Sequence, residues 1–293
     1  MTILTERHNA NTYDIDLKDG FEIAVLMNNE DQRVAVAVQK ELKAIGQAID
    51  LIGECFLRGG RLAYFGAGTS GRLGVLDASE CVPTFGVDEG LVRGYIAGGD
   101  RALRHAVENA EDSEDLGLKD LEDFCPNKED VVVGVSASGN PKYLLSVLSK
   151  AHKKGAHTIA LTSNPDAKMK EFADIFICPV VGPEAITGSS RLKSGTAQKM
   201  VLNMLSTGAM IKIGKTYHNY MIDLKVSNQK LLERGCRFVC EICGVDKGTA
   251  QELLAEAGGS VKTACVMAAQ KCSKEKAEEK LAAVKGVLRK VIG

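Results

Sequence analysis

Five short apolar runs alternate with helix-length segments through the middle of the chain, and this alternation limits the fold more than any other feature of the sequence. The runs cover residues 61–65, 91–97, 130–135, 157–161 and 175–180. Strands that alternate with helices are joined by right-handed crossovers and form a parallel sheet with helices on both faces. The pattern predicts an α/β protein, a three-layer α-β-α sandwich built on a five-stranded parallel sheet.

Helical patterns precede and follow the predicted sheet. From Asn29 to Phe56, apolar residues recur at steps of four and three, which predicts one long helix that ends at Gly59-Gly60. A polar, hydroxyl-rich segment after Val181 leads into a second long apolar helix that reaches Ile213. We expect this second helix to form part of the core.

The C-terminal end has a different composition from the rest of the chain. From about Val245 it is rich in Ala, Glu and Lys, with short helical patterns separated by Gly258-Gly259 and Ser273. Such a segment is typical of a compact helical appendage. We therefore predict two domains, residues 1–240 with the sheet and residues 241–293 as a small helical domain.

Charge and composition narrow the possible partners. The 293 residues carry a net charge of -1 with acids and bases interspersed, so no basic surface indicates nucleic acid or an anionic membrane. No apolar stretch approaches the roughly 20 residues that span a bilayer. Nine cysteines without an export signal are typical of reduced thiols. We expect a cytoplasmic protein with no nucleic-acid or membrane partner.

The first predicted strand ends in a turn rich in glycine and hydroxyl groups, FGAGTSGRLG at 65–74. Its three spaced glycines fit G-x-G-x-x-G, so a dinucleotide site is one interpretation. However, Thr69 and Ser70 can donate to phosphate oxygens at a helix N-terminus, where backbone N–H groups already favour an anion. A nucleoside-triphosphate loop is disfavoured, because Arg72 stands where that motif needs lysine.

A second loop of the same kind, Ser136-Ala137-Ser138-Gly139, follows the third predicted strand. Parallel strands bring their carboxyl ends to one edge of the sheet, where α/β proteins bind ligands. Glycine and serine also form ordinary turns, so either loop alone is weak support for a site. Together the two loops favour a small phosphorylated ligand.

Three longer stretches form motifs that are far more specific than a glycine pattern. They are GAGTSGRLGVLDASECVPTFGV at 66–87, AVENAEDS at 106–113 and ITGSSRLKSGTAQKMVLNMLSTG at 186–208. These motifs closely resemble the N-acetylmuramic acid 6-phosphate etherases of the sugar isomerase (SIS) domain superfamily, and the likeness covers most of the chain. The resemblance implies a homodimeric lyase of peptidoglycan recycling, which cleaves the D-lactyl ether at C3 and yields N-acetylglucosamine 6-phosphate and D-lactate.

The resemblance also implies which residues form the site. It places acidic catalytic residues at Glu80 and Glu111, and such a reaction needs a proton acceptor, a proton donor and enolate stabilisation, with no metal or other cofactor. The residues expected to bind the substrate or its phosphate are Gly68, Thr69, Ser70, Ser136, Ser138, Gly139, Ser190 and Arg191. Without the resemblance, the two glutamates would read as solvated acids on a helix face and in an acidic run.

Two features depart from the family pattern. Asn140-Pro141 stand where the family usually has Arg-Thr, so a hydroxyl group is missing beside the second loop and substrate preference is open. Cys236, Cys240 and Cys243 have a spacing found in enzymes that hold an iron–sulfur cluster. The same spacing also places small apolar fillers on one side of a helix, and we favour that interpretation.

Two other functions stay open at this point. An aldose–ketose isomerase would use the same anion loops and the same C2 proton abstraction, but it needs no lactyl pocket. A sugar-phosphate-sensing module would bind without turnover, although no DNA-binding helix-turn-helix precedes the sheet. Release of lactate would separate the etherase from both.

Overall fold

A computed structural model describes residues 4–224 and 229–293 of the chain. Its central element is a sheet of five short strands. The strands are β1 (Leu62–Gly66), β2 (Val92–Ile96), β3 (Val131–Val135), β4 (His157–Leu161) and β5 (Ile175–Ile177). Four of them lie within predicted apolar runs, and β1 extends one residue beyond its run. They pair in the order β2-β1-β3-β4-β5, and every pair is parallel. The predicted five-stranded parallel sheet is confirmed.

The register of the sheet brings the ends of the strands together. Gly66, the last residue of β1, pairs with Ile96 on one side and with Val135 on the other. Neighbouring strands lie about 4.8 Å apart. The segments that follow β1 and β3 therefore start side by side at one edge, as the sequence predicts.

Helices cover both faces of the sheet. In the part of the chain that contains the sheet they are α1 (Gly20–Gln39), α2 (Leu42–Leu57), α3 (Gly68–Phe85), α4 (Arg101–Arg104), α5 (Glu114–Phe124), α6 (Lys142–Lys153) and α7 (Lys193–Lys212). Ala63 and Phe65 of β1 pack in one apolar cluster with residues of α5 and α6. Strand side chains alternate between faces, so Tyr64 points the other way, where an added Cβ on Gly74 of α3 would lie 2.9 Å from it. The three-layer arrangement is confirmed.

The N-terminal helical pattern forms two helices, so the prediction of one long helix is wrong. The chain turns at Lys40 and Glu41, between α1 and α2. At this turn the carboxylate of Glu41 accepts a hydrogen bond from the backbone N–H of Cys178, 3.0 Å away. The apolar spacing continues across the break, so it does not mark the place where the first helix ends.

By its internal contacts the chain divides into two compact units. One comprises Met1–Ser79 with Glu89–Gly208, and the other comprises Glu80–Asp88 with Ala209–Gly293. The predicted domain boundary at residues 240 and 241 falls within a helix, and it stays a prediction. Residues 225–228, which belong to the first predicted domain, lie outside the described residues.

The second unit contains a short antiparallel hairpin and several helices around their own apolar core. These elements are β6 (Thr216–Tyr217), β7 (Tyr220–Met221), α8 (Gln229–Cys243), α9 (Lys247–Glu256), α10 (Val261–Gln270), α11 (Lys274–Ala283) and α12 (Arg289–Ile292). The predicted breaks at Gly258-Gly259 and Ser273 separate α9 from α10 and α10 from α11. The predicted helical C-terminal end is confirmed, whereas the hairpin was not predicted.

The three spaced cysteines lie on α8. Cys236 is buried in the apolar core of this unit, and Cys240 and Cys243 pack against that core. These positions agree with their interpretation as small apolar fillers. Among the helices of the described residues, none is both long and apolar enough to cross a membrane.

Candidate functional site

The turn between β1 and α3 is a tight bend that only glycine fits. A Cβ on Gly66 would lie 2.6 Å from the backbone nitrogen of Gly71, and a Cβ on Gly71 would lie 2.6 Å from Ile96. Gly68 has a positive φ of 54°. Within the described residues, the backbone N–H groups of Gly68, Thr69 and Ser70 donate to no protein acceptor. The first turn of α3 therefore offers its donors to an external anion.

The hydroxyl residues of this turn lie against the start of α7. Thr69 and the backbone oxygen of Ser190 would lie 3.5 Å and 3.7 Å from a Cβ on Gly195. Ser70 is buried, and its Oγ donates to Oε1 of Gln198, 2.9 Å away. The structure thus brings Thr69, Ser70 and Ser190 together around one turn of α7.

The second predicted loop folds into a compact hydroxyl-lined turn. Gly139 N donates to Ser136 Oγ at 3.0 Å, and the Oγ atoms of Ser136 and Ser138 lie 3.4 Å apart. Gly139 has a φ of 69°, and a Cβ there would lie only 2.3 Å from the Cβ of Ala167. The loop therefore needs glycine at this position.

A third segment, which sequence reasoning missed, supports that loop from behind. Thr162 Oγ1 donates to Ala137 O at 3.0 Å, and Asn164 Nδ2 donates to Ser138 O at 2.8 Å. These bonds fix the carbonyl groups of the loop and so set the direction of its peptide planes. The signal was present in the sequence, because a polar run directly follows the apolar strand β4.

The departure from the family pattern at Asn140 has a structural consequence. Asn140 Oδ1 accepts a hydrogen bond from Lys168 N at 3.1 Å, at the start of a 3-10 helix, Lys168–Phe172. The side chain therefore ties the second loop to the next segment of the chain.

Glu111 lies beside the first loop in a cavity of about 240 Å³. Its lining includes Gly68, Arg72, His105, Glu108, Asn109 and Glu111. Arg72 donates to the backbone oxygens of Ala102 and Leu103 at 2.7 Å and 3.0 Å, which holds the end of α4 where the cavity segment begins. Glu111 sits on a 3-10 helix, Ala110–Asp112. The cavity thus brings together two predicted site residues, Gly68 and Glu111.

The other predicted site residues are placed less directly. Glu80 is exposed near the end of α3 and belongs to the second unit, and Arg191 is exposed just before α7. Neither residue lines the cavity that contains Glu111. The catalytic role of Glu80 and the binding role of Arg191 stay predictions.

The N-terminus of α7 is occupied by a carboxylate of the protein itself. Glu184 is fully buried, and its two oxygens accept hydrogen bonds from the backbone N–H groups of Lys193 and Ser194 at 2.9 Å and 3.0 Å. A carboxylate in this position stabilises the helix through both hydrogen bonds and the helix dipole. No pattern in the sequence pointed to Glu184.

A buried ion pair lies next to this cap. Lys193 Nζ donates to Glu30 Oε2 at 2.5 Å, and Asn9 and Asn11 donate to the same carboxylate at 2.8 Å each. Burial opposes the charge on Glu30, but these hydrogen bonds outweigh burial and lower its pKa to about 2. Lys193 therefore forms its ion pair with Glu30 inside the protein.

Family comparisons agree with this architecture. Residues 44–152 match the N-terminal SIS domain of glucokinase regulatory protein, and residues 124–208 match the SIS domain family. Residues 218–258 match the C-terminal lid domain of glucokinase regulatory protein. A solved structure of a Bacteroides fragilis protein, described as a phosphosugar isomerase involved in capsule formation, has a TM-score of 0.51 at 19% identity. That match covers 71% of this chain and 98% of the other, and it shows the fold alone.

Sequence comparison with curated proteins gives much closer relatives. The N-acetylmuramic acid 6-phosphate etherase of Clostridium botulinum strain Langeland is 52% identical over 290 residues, which cover 99% of this chain and 96% of the relative. The etherase of Glaesserella parasuis is 49% identical over 284 residues, which cover 97% of this chain and 93% of the relative. Since about half of its residues are shared with these proteins along nearly the whole length, the chain belongs to the N-acetylmuramic acid 6-phosphate etherase family.

Proposed function

We propose that the chain is an N-acetylmuramic acid 6-phosphate etherase, which yields N-acetylglucosamine 6-phosphate and D-lactate. The observation that carries this proposal is the 52% identity over 290 residues to a protein of that name. The geometry supports a sugar-phosphate substrate, because two hydroxyl-lined turns meet at the same edge of the sheet. One of these turns leads into a helix whose first N–H groups have no protein acceptor among the described residues.

The reaction follows from the chemistry of the substrate. In its open form the sugar has an aldehyde at C1, which acidifies the proton on C2. A base removes that proton, the electron pair forms a C2–C3 double bond, and the C3–oxygen bond breaks as the lactyl oxygen takes up a proton. Water then adds to C3, and the net change is hydrolysis of the ether. Side-chain acids and bases can carry the proton transfers. Oriented N–H donors can stabilise the enolate-like intermediate.

We assign the residues accordingly. Thr69, Ser70 and the first N–H groups of α3 bind the phosphate together with the loop of Ser136, Ser138 and Gly139. Glu111 lines a cavity that Gly68 also lines, and this supports our assignment of Glu111 as a residue that acts on a substrate held at this turn. Glu80 is assigned as the acid/base that serves the lactyl oxygen and the C2 proton. Ser190 and Arg191 contact the sugar or its lactyl carboxylate.

We further propose that the enzyme is a cytoplasmic homodimer that serves amino-sugar catabolism. None of the nine cysteines, all of which lie within the described residues, forms a disulfide, which agrees with a reducing compartment. Light scattering on the purified protein would give the mass of the dimer or of the single chain. A mass of one chain at working concentrations would reject the dimer.

The proposed function is tested by incubating the purified chain with N-acetylmuramic acid 6-phosphate and assaying D-lactate enzymatically. We expect equimolar D-lactate and N-acetylglucosamine 6-phosphate. In water labelled with oxygen-18, the label should appear at C3 of the sugar and be absent from the lactate hydroxyl. Isomerisation of sugar phosphates without lactate release would favour the isomerase, and binding without turnover would favour the sensing module.

A further inference from the structure

A buried polar cluster joins the first turns of α3 and α7. It consists of Ser70 on α3 with Ser194 and Gln198 on α7, which are 9%, 0% and 1% exposed. Ser70 Oγ donates to Gln198 Oε1 at 2.9 Å. In this arrangement two buried atoms of the cluster, Gln198 Nε2 and Ser194 Oγ, have no hydrogen-bond partner among the residues that the structure describes.

This arrangement leaves donors unused at the place where an anion is expected. Buried donors without a partner are rare and costly in folded proteins. In addition, the hydroxyl proton of Ser70 is directed to Gln198, so Ser70 cannot donate it to a phosphate oxygen. The cluster as it stands therefore fits the state without a ligand.

Rotation of the Gln198 amide by half a turn removes the conflict at Ser70. It exchanges Oε1 and Nε2, which are nearly equal in size and differ in the hydrogen bonds they form. Nε2 then donates to Ser70 Oγ, which frees the Ser70 proton for an anion.

We propose that Gln198 is a positioning residue that makes Ser70 a donor to the substrate phosphate. When a phosphate monoester is bound, the hydrogen bonds run from Gln198 to Ser70 and from Ser70 to a phosphate oxygen. The last bond is charge-assisted, and donors in such a chain polarise one another. No proton changes its heavy atom.

The inference rests on the proposed sugar-phosphate site, and it adds a residue of a second helix to it. The start of α7 is not itself the phosphate site in this account, because Glu184 already accepts hydrogen bonds from its N–H groups. Instead, α7 contributes through a side chain that controls a residue of α3.

The test is a double-mutant cycle on the full chain with inorganic phosphate as the probe. The dissociation constant is obtained from the rise of the melting temperature with phosphate concentration. We expect Gln198→Leu and Ser70→Ala each to weaken phosphate binding by about tenfold, the effect of losing one charge-assisted hydrogen bond. In the Ser70→Ala background, Gln198→Leu should change the constant by less than about twofold, because the two residues act through one bond.

Ser206→Ala is the matched control. Ser206 is also buried on α7, and its Oγ donates to Asp77 Oδ1 at 3.2 Å. Its loss should lower the melting temperature and leave the phosphate constant unchanged. If Gln198→Leu does not fold, Gln198→Met carries the same test, because it keeps the approximate size of the side chain and removes the N–H donor without adding a charge beside the anion.

Two results would overturn the inference. Unchanged phosphate binding in the Gln198 variants would show that the amide has no role in it. Additive losses in the double variant would show that Gln198 contacts the anion independently of Ser70. A chain that releases no D-lactate but shows the non-additive cycle would reject the proposed function and keep this inference. A chain that releases D-lactate but shows additive losses would reject only the inference.

Discussion

The first turns of α3 and α7 show two ways to complete the N-terminus of a helix. At α7 the protein supplies the negative charge itself, through the buried carboxylate of Glu184. At α3 no protein acceptor among the described residues meets the first N–H groups. Both termini favour an anion for the same physical reason. The difference indicates that α7 is built for stability and α3 for a ligand.

The largest expected effect comes from removing the carboxylate that caps the N-terminus of α7. Glu184→Ala leaves two buried N–H groups without an acceptor, and we expect it to reduce the free energy of unfolding by about 4 kcal/mol. Urea denaturation measures this loss. Asp19→Ala, which removes an exposed cap from α1, is the control and should cost about 1 kcal/mol. Equal losses in the two variants would contradict the special role of the buried cap.

Glycine substitutions in the two predicted anion loops test the ligand-binding part of this comparison. Gly139→Ala combines a positive φ with a Cβ 2.3 Å from Ala167, so we expect a loss of about 3 kcal/mol. Gly68→Ala also has a positive φ, but its Cβ would meet nothing within 4 Å. We expect it to cost only about 1 kcal/mol. Thermal unfolding of both variants measures the difference, and a reversed order would refute the clash at Gly139.

Acid pH tests the ion pair between Glu30 and Lys193, beside the capped N-terminus of α7. The pKa of Glu30 is lowered from 4.5 to about 2 in the folded protein. Its carboxylate therefore stabilises the fold above pH 4.5, and this stability is lost as the pH falls from about 4.5 to about 2. The loss should amount to about 3 kcal/mol. Glu30→Gln should remove this part of the pH dependence, and an unchanged acid transition in that variant would contradict the assignment.

The smallest expected effect concerns the support of the second loop. Asn164→Ala removes the donor to Ser138 O, and we expect KM for the sugar phosphate to rise about fivefold, the loss of roughly one neutral hydrogen bond. The value of kcat should change little, because the loop binds the phosphate and not the reacting carbons. Asn203→Ala is the control for a general loss of stability. It removes a different hydrogen bond, from Asn203 of α7 to Asp77 of α3. A fall in kcat at constant KM would argue against a role in phosphate binding.

Local patterns made the sheet and the two anion loops predictable. Short apolar runs bounded by turn residues fixed β1 to β5, and the glycines at positions 68 and 139 marked backbone that only glycine adopts easily. The motif at 66–87 also linked the first loop to a known family. These features depend on neighbours in sequence, so a single sequence contains them.

The contacts between residues far apart in the sequence could not be predicted from the sequence. Lys193 and Glu30 are 163 positions apart, and nothing in either segment indicates that the lysine is buried against that carboxylate. At the break between α1 and α2, Glu41 likewise accepts a hydrogen bond from the backbone of Cys178, 137 positions away. Lys193 follows a polar loop at the start of a helix, a pattern that is usually exposed. Tertiary packing decides such cases, and local propensity does not.

The most direct test of the account compares substrates with and without the phosphate. D-lactate release is measured with N-acetylmuramic acid 6-phosphate and with unphosphorylated N-acetylmuramic acid under the same conditions. If the first turn of α3 and the second loop hold the phosphate, kcat/KM should be at least about a thousandfold lower without it, because several charge-assisted hydrogen bonds to the phosphate are then lost. Similar values of kcat/KM for the two substrates would contradict the central claim that α3 is left open for a phosphate.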